Sequence, residues 1–403
     1  MAAPSYDVAV IGAGPGGSAA AFYLARQGQR VLLLDKASFP RDKTCGDGLT
    51  PRALDILADM GILAAAEAAG CRIHGVSIFA KRGAVLHSSI PAHPDFHDYL
   101  LVVPRLRLDD LIRQRAIQQG ATFQGNARVT ALHAETSGVQ IQAELDGQPA
   151  SFQARAAVVA VGANMGFLRD NQILTYAPRP IVAVRAYYEG LHDLGDHIQA
   201  HFEQVPMPGY GWVFPTGLAS ANIGLGMWRD QATSAGSLRT AFDHFLQGPR
   251  LSQLTAGAQQ VGPVKSYPLR IDFTTAPTHA ERIVLVGESA GLVSPLTGEG
   301  IDFALESGRL AAQFLQDALA SDALSRNALR AYDRLLRAHF QSMFTFLGYL
   351  RKVYVNPLLM DRIVRVCARS PELRELFVSI LMSQQHPAAL LRPRIVRKVL
   401  IGV

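Results

Sequence analysis

The chain opens on a hydrophobic pattern that hardly alternates. Residues 6–11 (YDVAVI) form an apolar run that ends at glycine, which predicts a strand buried on both faces of a parallel sheet. Ser18 to Gln27, rich in Ala and Leu, predicts a helix, and Arg30 to Asp35 (RVLLLD) a second buried strand, so the first 35 residues read as a βαβ unit. Amphipathic helices are expected at Pro51 to Met60 and at Leu106 to Gln119, the latter closed by Gly120. Between them, Ile73 to Ala80 and Tyr99 to Val103 read as short strands of another sheet. Alternation at Ala127 to His133 and Val139 to Leu145, with a turn at Asp146-Gly147, makes residues 122–161 β-rich. Residues 170–278 are β-rich again, with aromatics and several prolines. Arg282 to Val286 then returns to a buried strand, followed by a helix from Ile301 to Leu319, and after Ser325 almost everything reads as helix.

The fold class this predicts is α/β. A Rossmann-like nucleotide-binding domain is assembled from residues 1–70, 105–169 and 279–330; a β-rich substrate domain (71–104 and 170–278) is inserted in it; and residues 331–403 form a helical C-terminal segment. The uncharged stretch Val8 to Ala25 resembles a membrane span in a hydropathy window, but Gly12 to Gly17 breaks it too early to cross about 30 Å of hydrocarbon. With 403 residues and 49% hydrophobic positions, the chain has the apolar content of a large globular core, which excludes global disorder. Cys45, Cys71 and Cys367 lie too far apart for a disulfide framework or a zinc cluster, and no secretory signal is visible, so a cytoplasmic location is expected.

Charge is unevenly placed. Residues 351–403 carry ten Lys or Arg against Asp361, Glu372 and Glu375, so this tail is +7 in a chain of net charge +6. Its basic residues alternate with aliphatic ones rather than with stacking aromatics, which argues against nucleic acid. One reading is interfacial helices on an anionic surface at the inner face of the membrane; the other is a helical cap whose outer face is basic.

The strongest chemical motif is Gly12, Gly14 and Gly17 in GxGxxG spacing between strand and helix, with Asp35 ending the next strand. Such glycines let backbone N–H groups approach a pyrophosphate at a helix N-terminus, and the carboxylate can hold a ribose diol. A competing motif is Gly287-Glu288-Ser289-Ala290-Gly291, which matches the GxSxG elbow of a serine hydrolase with Ser289 as nucleophile. The glycine-rich Thr297-Gly298-Glu299-Gly300-Ile301 that follows instead suggests a second backbone cradle. Histidine spacing at 93/97 and 197/201 lacks helical context, and no metal site is expected.

Taken together, the glycine fingerprint with Asp35, the stretch Phe39 to Arg52 (FPRDKTCGDGLTPR), Tyr210 to Pro215 (YGWVFP) and Val286 to Ile301 (VGESAGLVSPLTGEGI) resemble the geranylgeranyl reductase family of FAD-dependent oxidoreductases. The resemblance spans roughly residues 5–320. It implies that Gly12, Ala13, Gly14, Pro15 and Gly17 face the FAD pyrophosphate, with Asp35 and Lys36 at the adenosine ribose and the Val129 backbone at the adenine. It further implies Arg105 near the phosphates, Cys45, Gly46 and Gly48 along the flavin ring, and Gly298, Gly300 and Ile301 facing the isoalloxazine. Glu288 stands where the family usually has Asp. The Asp-Gly motif expected near the end of the middle strand is replaced by Ala160-Val161-Gly162-Ala163, which weakens an NADPH-dependent hydroxylase reading.

Tyr210, Trp212 and Phe214 alternate, so they share one sheet face, and against a flavin that face would form an apolar slot for a prenyl chain. The expected activity is saturation of carbon–carbon double bonds in an isoprenoid or prenylated lipid, with an external donor (NADPH or ferredoxin) reducing FAD. Cys45 and Tyr210 are the candidate proton donors, with bound water a third. A flavin-dependent monooxygenase or halogenase is the alternative, although Tyr210 and Phe214 depart from the halogenase WxWxIP pattern.

Overall fold

The computed structural model describes residues 6–228, 238–354 and 356–401. Its central layer is a sheet built on the strand Tyr6–Ile11, which pairs in parallel with Val31–Leu34 on one side and Gln148–Val159 on the other. Thr122–Gln124 and Ile283–Leu285 extend the parallel set outward. Val8, Ala9 and Val10 are fully buried, as the unbroken apolar run predicts for a strand covered on both faces. Ala127–Glu135 and Gly138–Leu145 add an antiparallel meander to the long strand, turning at Asp146-Gly147, both at positive φ.

Helices Pro15–Arg26, Arg105–Gln118 and Ile301–Ala320 belong to this layer. The first and last approach so closely that a Cβ on Gly308 would lie 2.4 Å from the Gly16 carbonyl, which is why small residues line that contact. A second, seven-stranded sheet runs in the order Gln259–Leu269, Ile181–Glu189, Ser220–Trp228, Gly209–Gly217, His197–His201, Gly75–Phe79, Val85–Ser89. The apolar run 73–80 is split between sheets: Cys71–Ile73 joins Leu100–Val102 and Gly48–Leu49 in a small third sheet, whereas Gly75–Phe79 enters the second. At the break, the His74 N–H donates to Asp196 and its carbonyl accepts from Ile90.

The C-terminal helices divide their packing. Arg330–Tyr354 buries Tyr332, Leu336, Phe340 and Phe344 against the nucleotide-domain core, beside Phe273 and Phe303. Pro357–Arg369 and Pro371–Leu381 instead bury Val364, Cys367, Leu373 and Val378 with Ile73, Val76, Ile78 and Leu86 of the other two sheets. Among the described residues, no helix is long and apolar enough to cross a membrane.

Candidate active site

The two large sheets and the C-terminal helices enclose one cavity of about 1180 Å³. That exceeds the roughly 300–1,000 Å³ of an ordinary ligand pocket. Gly12, Gly14, Pro15, Asp35, Lys36, Cys45, Gly46, Gly48, Arg105, Val129, Tyr210, Trp212, Phe214, Glu288, Gly298, Gly300 and Ile301 all line it. Ala13 and Gly17 are buried and do not line it. Gly12 has φ +105°, where a side chain would strain, and a Cβ there would sit 2.4 Å from the Ala160 carbonyl; one on Gly17 would sit 1.8 Å from the Gly12 carbonyl. Asp35 holds the turn: Oδ2 accepts from the Ala13 N–H at 2.8 Å and Oδ1 from the Ala37 N–H at 2.9 Å.

Arg105 is buried and forked onto Asp109 at 2.6 and 2.8 Å. Burial disfavours its charge, but the Asp109 carboxylate, with Cys45 adjacent, holds its pKa above the ordinary value. Arg41, which sequence reasoning passed over, bridges the same Asp109 (2.9 Å) and Asp35 (3.8 Å) and reaches to 3.7 Å from where a Gly14 Cβ would be. The helices starting at Pro15 and Ile301 both open into the cavity, and neither first turn is capped by a side chain. Their free N–H groups and dipoles favour an anionic or electron-rich ligand.

The CGDG segment is fixed from the second sheet. Asp47, at φ +69° and fully buried, accepts from Tyr187 Oη at 2.6 Å and Asn222 Nδ2 at 2.7 Å. Asn222 also donates to the Cys45 carbonyl (2.7 Å) and accepts from Trp212 Nε1 (3.0 Å). Burial pushes the Asp47 carboxyl up to about 6 against these donors, and its Oδ1 has no partner. Gly46 and Gly48 pack under the Phe214 ring, where a Cβ would come within 3.0 and 3.2 Å.

On the other wall, Glu288 Oε2 pairs with Lys43 at 3.3 Å and Oε1 accepts from the Arg270 N–H. Ser289 is fully buried, its hydroxyl donating to the Gly162 carbonyl at 3.4 Å, so it lacks the exposed Oγ that a nucleophile elbow requires. Tyr210 Oη donates to the Thr297 carbonyl, tying the sheet to the Gly298–Gly300 loop. Burial, with Glu299 and Cys45 nearby, raises the Tyr210 pKa above the ordinary tyrosine value.

Beyond the glycine loops the cavity becomes apolar. Alternate residues of neighbouring strands face it: Val76 and Ile78, Ile198 and Ala200, Tyr210, Trp212 and Phe214, Gly226 and Trp228. Gly224 makes room for Trp212, whose ring would lie 2.2 Å from a Cβ there. The far wall is the C-terminal segment: Met360, Ile363, Cys367, Leu373, Phe377 and Ile380 line it. Burial pushes the Cys367 thiol up to about 12, which leaves it a small apolar wall residue. The basic tail is therefore a cap over the cavity as well as a charged surface. No group of three or more His, Cys, Asp or Glu among the described residues could hold a metal.

A glycine-cradled strand-to-helix turn, an acidic residue closing the next strand and a second glycine loop on the same cavity define a dinucleotide-binding flavoprotein, and residues 5–346 match the FAD binding domain family. The chain is 33% identical over 389 residues to the menaquinone reductase of Mycobacterium tuberculosis, covering 94% of this chain and 91% of that protein. It is 31% identical over 352 residues to digeranylgeranylglycerophospholipid reductase 1 of Methanopyrus kandleri, covering 84% and 88%. A solved geranylgeranyl bacteriochlorophyll reductase-like protein from Thermoplasma acidophilum shares the fold end to end, with TM-score 0.82 at 22% identity and all of both chains covered. The chain belongs to the geranylgeranyl reductase family of FAD-dependent oxidoreductases. FAD fits the residues present: the uncapped helix ends and Arg41 suit its pyrophosphate, and Gly14 leaves that place free of side chain.

Proposed function

We propose that this chain uses FAD to saturate carbon–carbon double bonds in the isoprenoid chain of a lipophilic carrier, either a polyprenyl quinone or a geranylgeranyl lipid. One observation carries this reading. The cavity continues from the glycine cradles into an apolar end walled by Trp212, Phe214 and the C-terminal helices, a shape suited to a long hydrocarbon beside the cofactor ring. The names of the relatives support it, because menaquinone and geranylgeranyl lipids share an unsaturated isoprenoid chain. Reduced FAD supplies the hydride for one alkene carbon. The chain's own residues orient the ring through Cys45, Gly46 and Gly48, hold the alkene against the aromatic face, and exclude water.

The test is mass spectrometry of a menaquinone-type substrate incubated anaerobically with chemically reduced protein and then reoxidised in air. Isoprenoid saturation leaves a gain of two hydrogens after reoxidation, located in the side chain by fragmentation. A gain that disappears in air would mean that the quinone ring was reduced instead.

The same reading places the protein at a membrane surface, where such substrates reside. Tyr349, Leu358 and Leu391 are exposed apolar residues in the stretch that also carries the exposed side chains of Arg365 and Arg394. Binding to vesicles is expected to need acidic lipid and to weaken as salt rises. Sedimentation that ignores lipid charge and salt would remove the electrostatic part of this proposal.

A further inference from the structure

Saturating an unactivated alkene takes a hydride at one carbon and a proton at its neighbour. Of the two groups first suited to give that proton, the Tyr210 hydroxyl already donates to the Thr297 carbonyl, and Cys45 lies beside the buried Arg105 guanidinium. Glu299 is placed differently. It lines the cavity between Gly298 and Gly300, at the mouth of helix Ile301–Ala320, and Thr50 and Ser383 flank its carboxyl. Ser383 also lines a separate outer pocket of about 420 Å³, shared with Arg52, Glu306, Arg309, His339 and His386. Glu299 thus stands between the two cavities.

The side chains joining them are acids. Asp302 is 1% exposed, and neither of its carboxylate oxygens has a hydrogen-bond partner. One helical turn on lies Glu306, whose carboxylate accepts from His339 Nε2 at 2.7 Å and pairs with Arg52 at 2.7 Å. His339 is 37% exposed at the outer pocket. A buried acid left without partners is costly, and the place of Asp302 between the paired Glu306 and the cavity-lining Glu299 calls for a role.

We propose that Glu299 is the acid that protonates the alkene carbon and that His339, Glu306 and Asp302 form the route by which it regains its proton. This rests on the reductase reading above. In the balanced step, the Glu299 O–H bond breaks as the alkene π pair forms a C–H bond at one carbon, and the hydride from the reduced cofactor forms the second C–H bond. The alkene gains two electrons and two hydrogens, FAD is left oxidised for an external two-electron donor to restore, and Glu299 is left a carboxylate. A solvent proton then enters at His339.

The surroundings bias the three carboxyls of this route differently. Burial works against the Glu306 carboxylate, but His339 and Arg52 hold its pKa below the ordinary range. Burial raises Asp302, with Glu306 adding to the rise and Arg52 opposing it. Withdrawal from water and the neighbouring Asp302 raise Glu299 well above the ordinary range against Thr50, Arg52 and Ser383, which favours its protonated form beside the cavity. Arg309, 3.9 Å from Glu306, Asp55 and His386 at the outer pocket, and Tyr210, which lies near Glu299, also face this line.

The experiment combines spectroscopy of the cofactor-free protein with turnover of the holoenzyme. Infrared spectra near neutral pH should show protonated-carboxyl absorption from which Glu299→Gln removes one component. The same variant should keep FAD and its reducibility but lose about 100-fold or more in prenyl saturation. Asp302→Asn removes the repulsion that keeps the proton on Glu299, so the alkaline limb of its pH–rate profile should move to lower pH. His339→Gln should slow repeated turnover more than the first. A Glu299→Gln protein that saturates the alkene at the wild-type rate, or an unmoved alkaline limb in Asp302→Asn, overturns the proton role and leaves the reductase reading standing. Wild-type protein that saturates no prenyl substrate overturns both. If Glu299→Gln does not fold, Asp302→Asn decides by its pH profile.

Discussion

Gly14→Glu protein is expected to fold normally and to purify without its yellow cofactor. Gly14 has φ −74° and ψ −176°, an extended conformation open to any residue, and a Cβ there meets only the tip of Arg41, at 3.7 Å. The backbone therefore tolerates the change. The new carboxylate would lie in the cradle in front of the uncapped helix end and pair with Arg41, filling the place of the pyrophosphate with like charge. A loss of about 100-fold or more in FAD affinity, roughly 3 kcal/mol, is expected by titration of cofactor-free protein, with circular dichroism unchanged. Gly12 and Gly17 would not make this test, because a Cβ at either collides with backbone and the turn itself would be lost. Gly14→Glu protein that binds FAD as wild type does would mean that the cofactor lies elsewhere.

At the other end of the cavity, Gly226→Phe is expected to leave FAD bound and to abolish turnover of long prenyl chains. Gly226 faces the apolar end, and a Cβ there touches only Ile181 at 3.8 Å and Trp212 at 4.0 Å, so a larger side chain must extend into the space proposed for the hydrocarbon. Single-methylene differences in apolar pockets change discrimination by roughly 10–200-fold, and a benzyl group displaces several methylenes. Saturation should fall at least about tenfold, more for longer chains than for short ones, while the flavin spectrum is retained. Equal loss for chains of every length would place the hydrocarbon away from this sheet face.

What could be read from the sequence was what is local. The buried strand 6–11, the glycine turn and RVLLLD announce the βαβ unit because strand burial and turn chemistry are written in adjacent residues. Likewise the alternation of Tyr210, Trp212 and Phe214 announces a shared face. The cavity wall of the C-terminal segment was half legible: the basic positions stand out, but nothing in residues 357–381 says that their apolar sides cover Val76 and Ile78. The polar networks were not legible at all. Arg41 with Asp109, Asp47 with Tyr187 and Asn222, and Glu306 with Arg52 and His339 join residues from different elements far apart in sequence. Glu299 lay inside a stretch read only for its backbone; its closeness to Asp302, Thr50 and Ser383 appears only once the loop is folded.

The central claim, that electrons held on bound FAD pass to a prenyl double bond, is tested most directly by an anaerobic single turnover. The purified holoenzyme is chemically reduced, freed of excess reductant, and mixed with a polyprenyl substrate while its flavin absorbance is followed. The account predicts that the oxidised spectrum returns without oxygen, in step with one equivalent of product saturated in its isoprenoid chain. A flavin that stays reduced until air is admitted, with the prenyl chain unchanged, would contradict it.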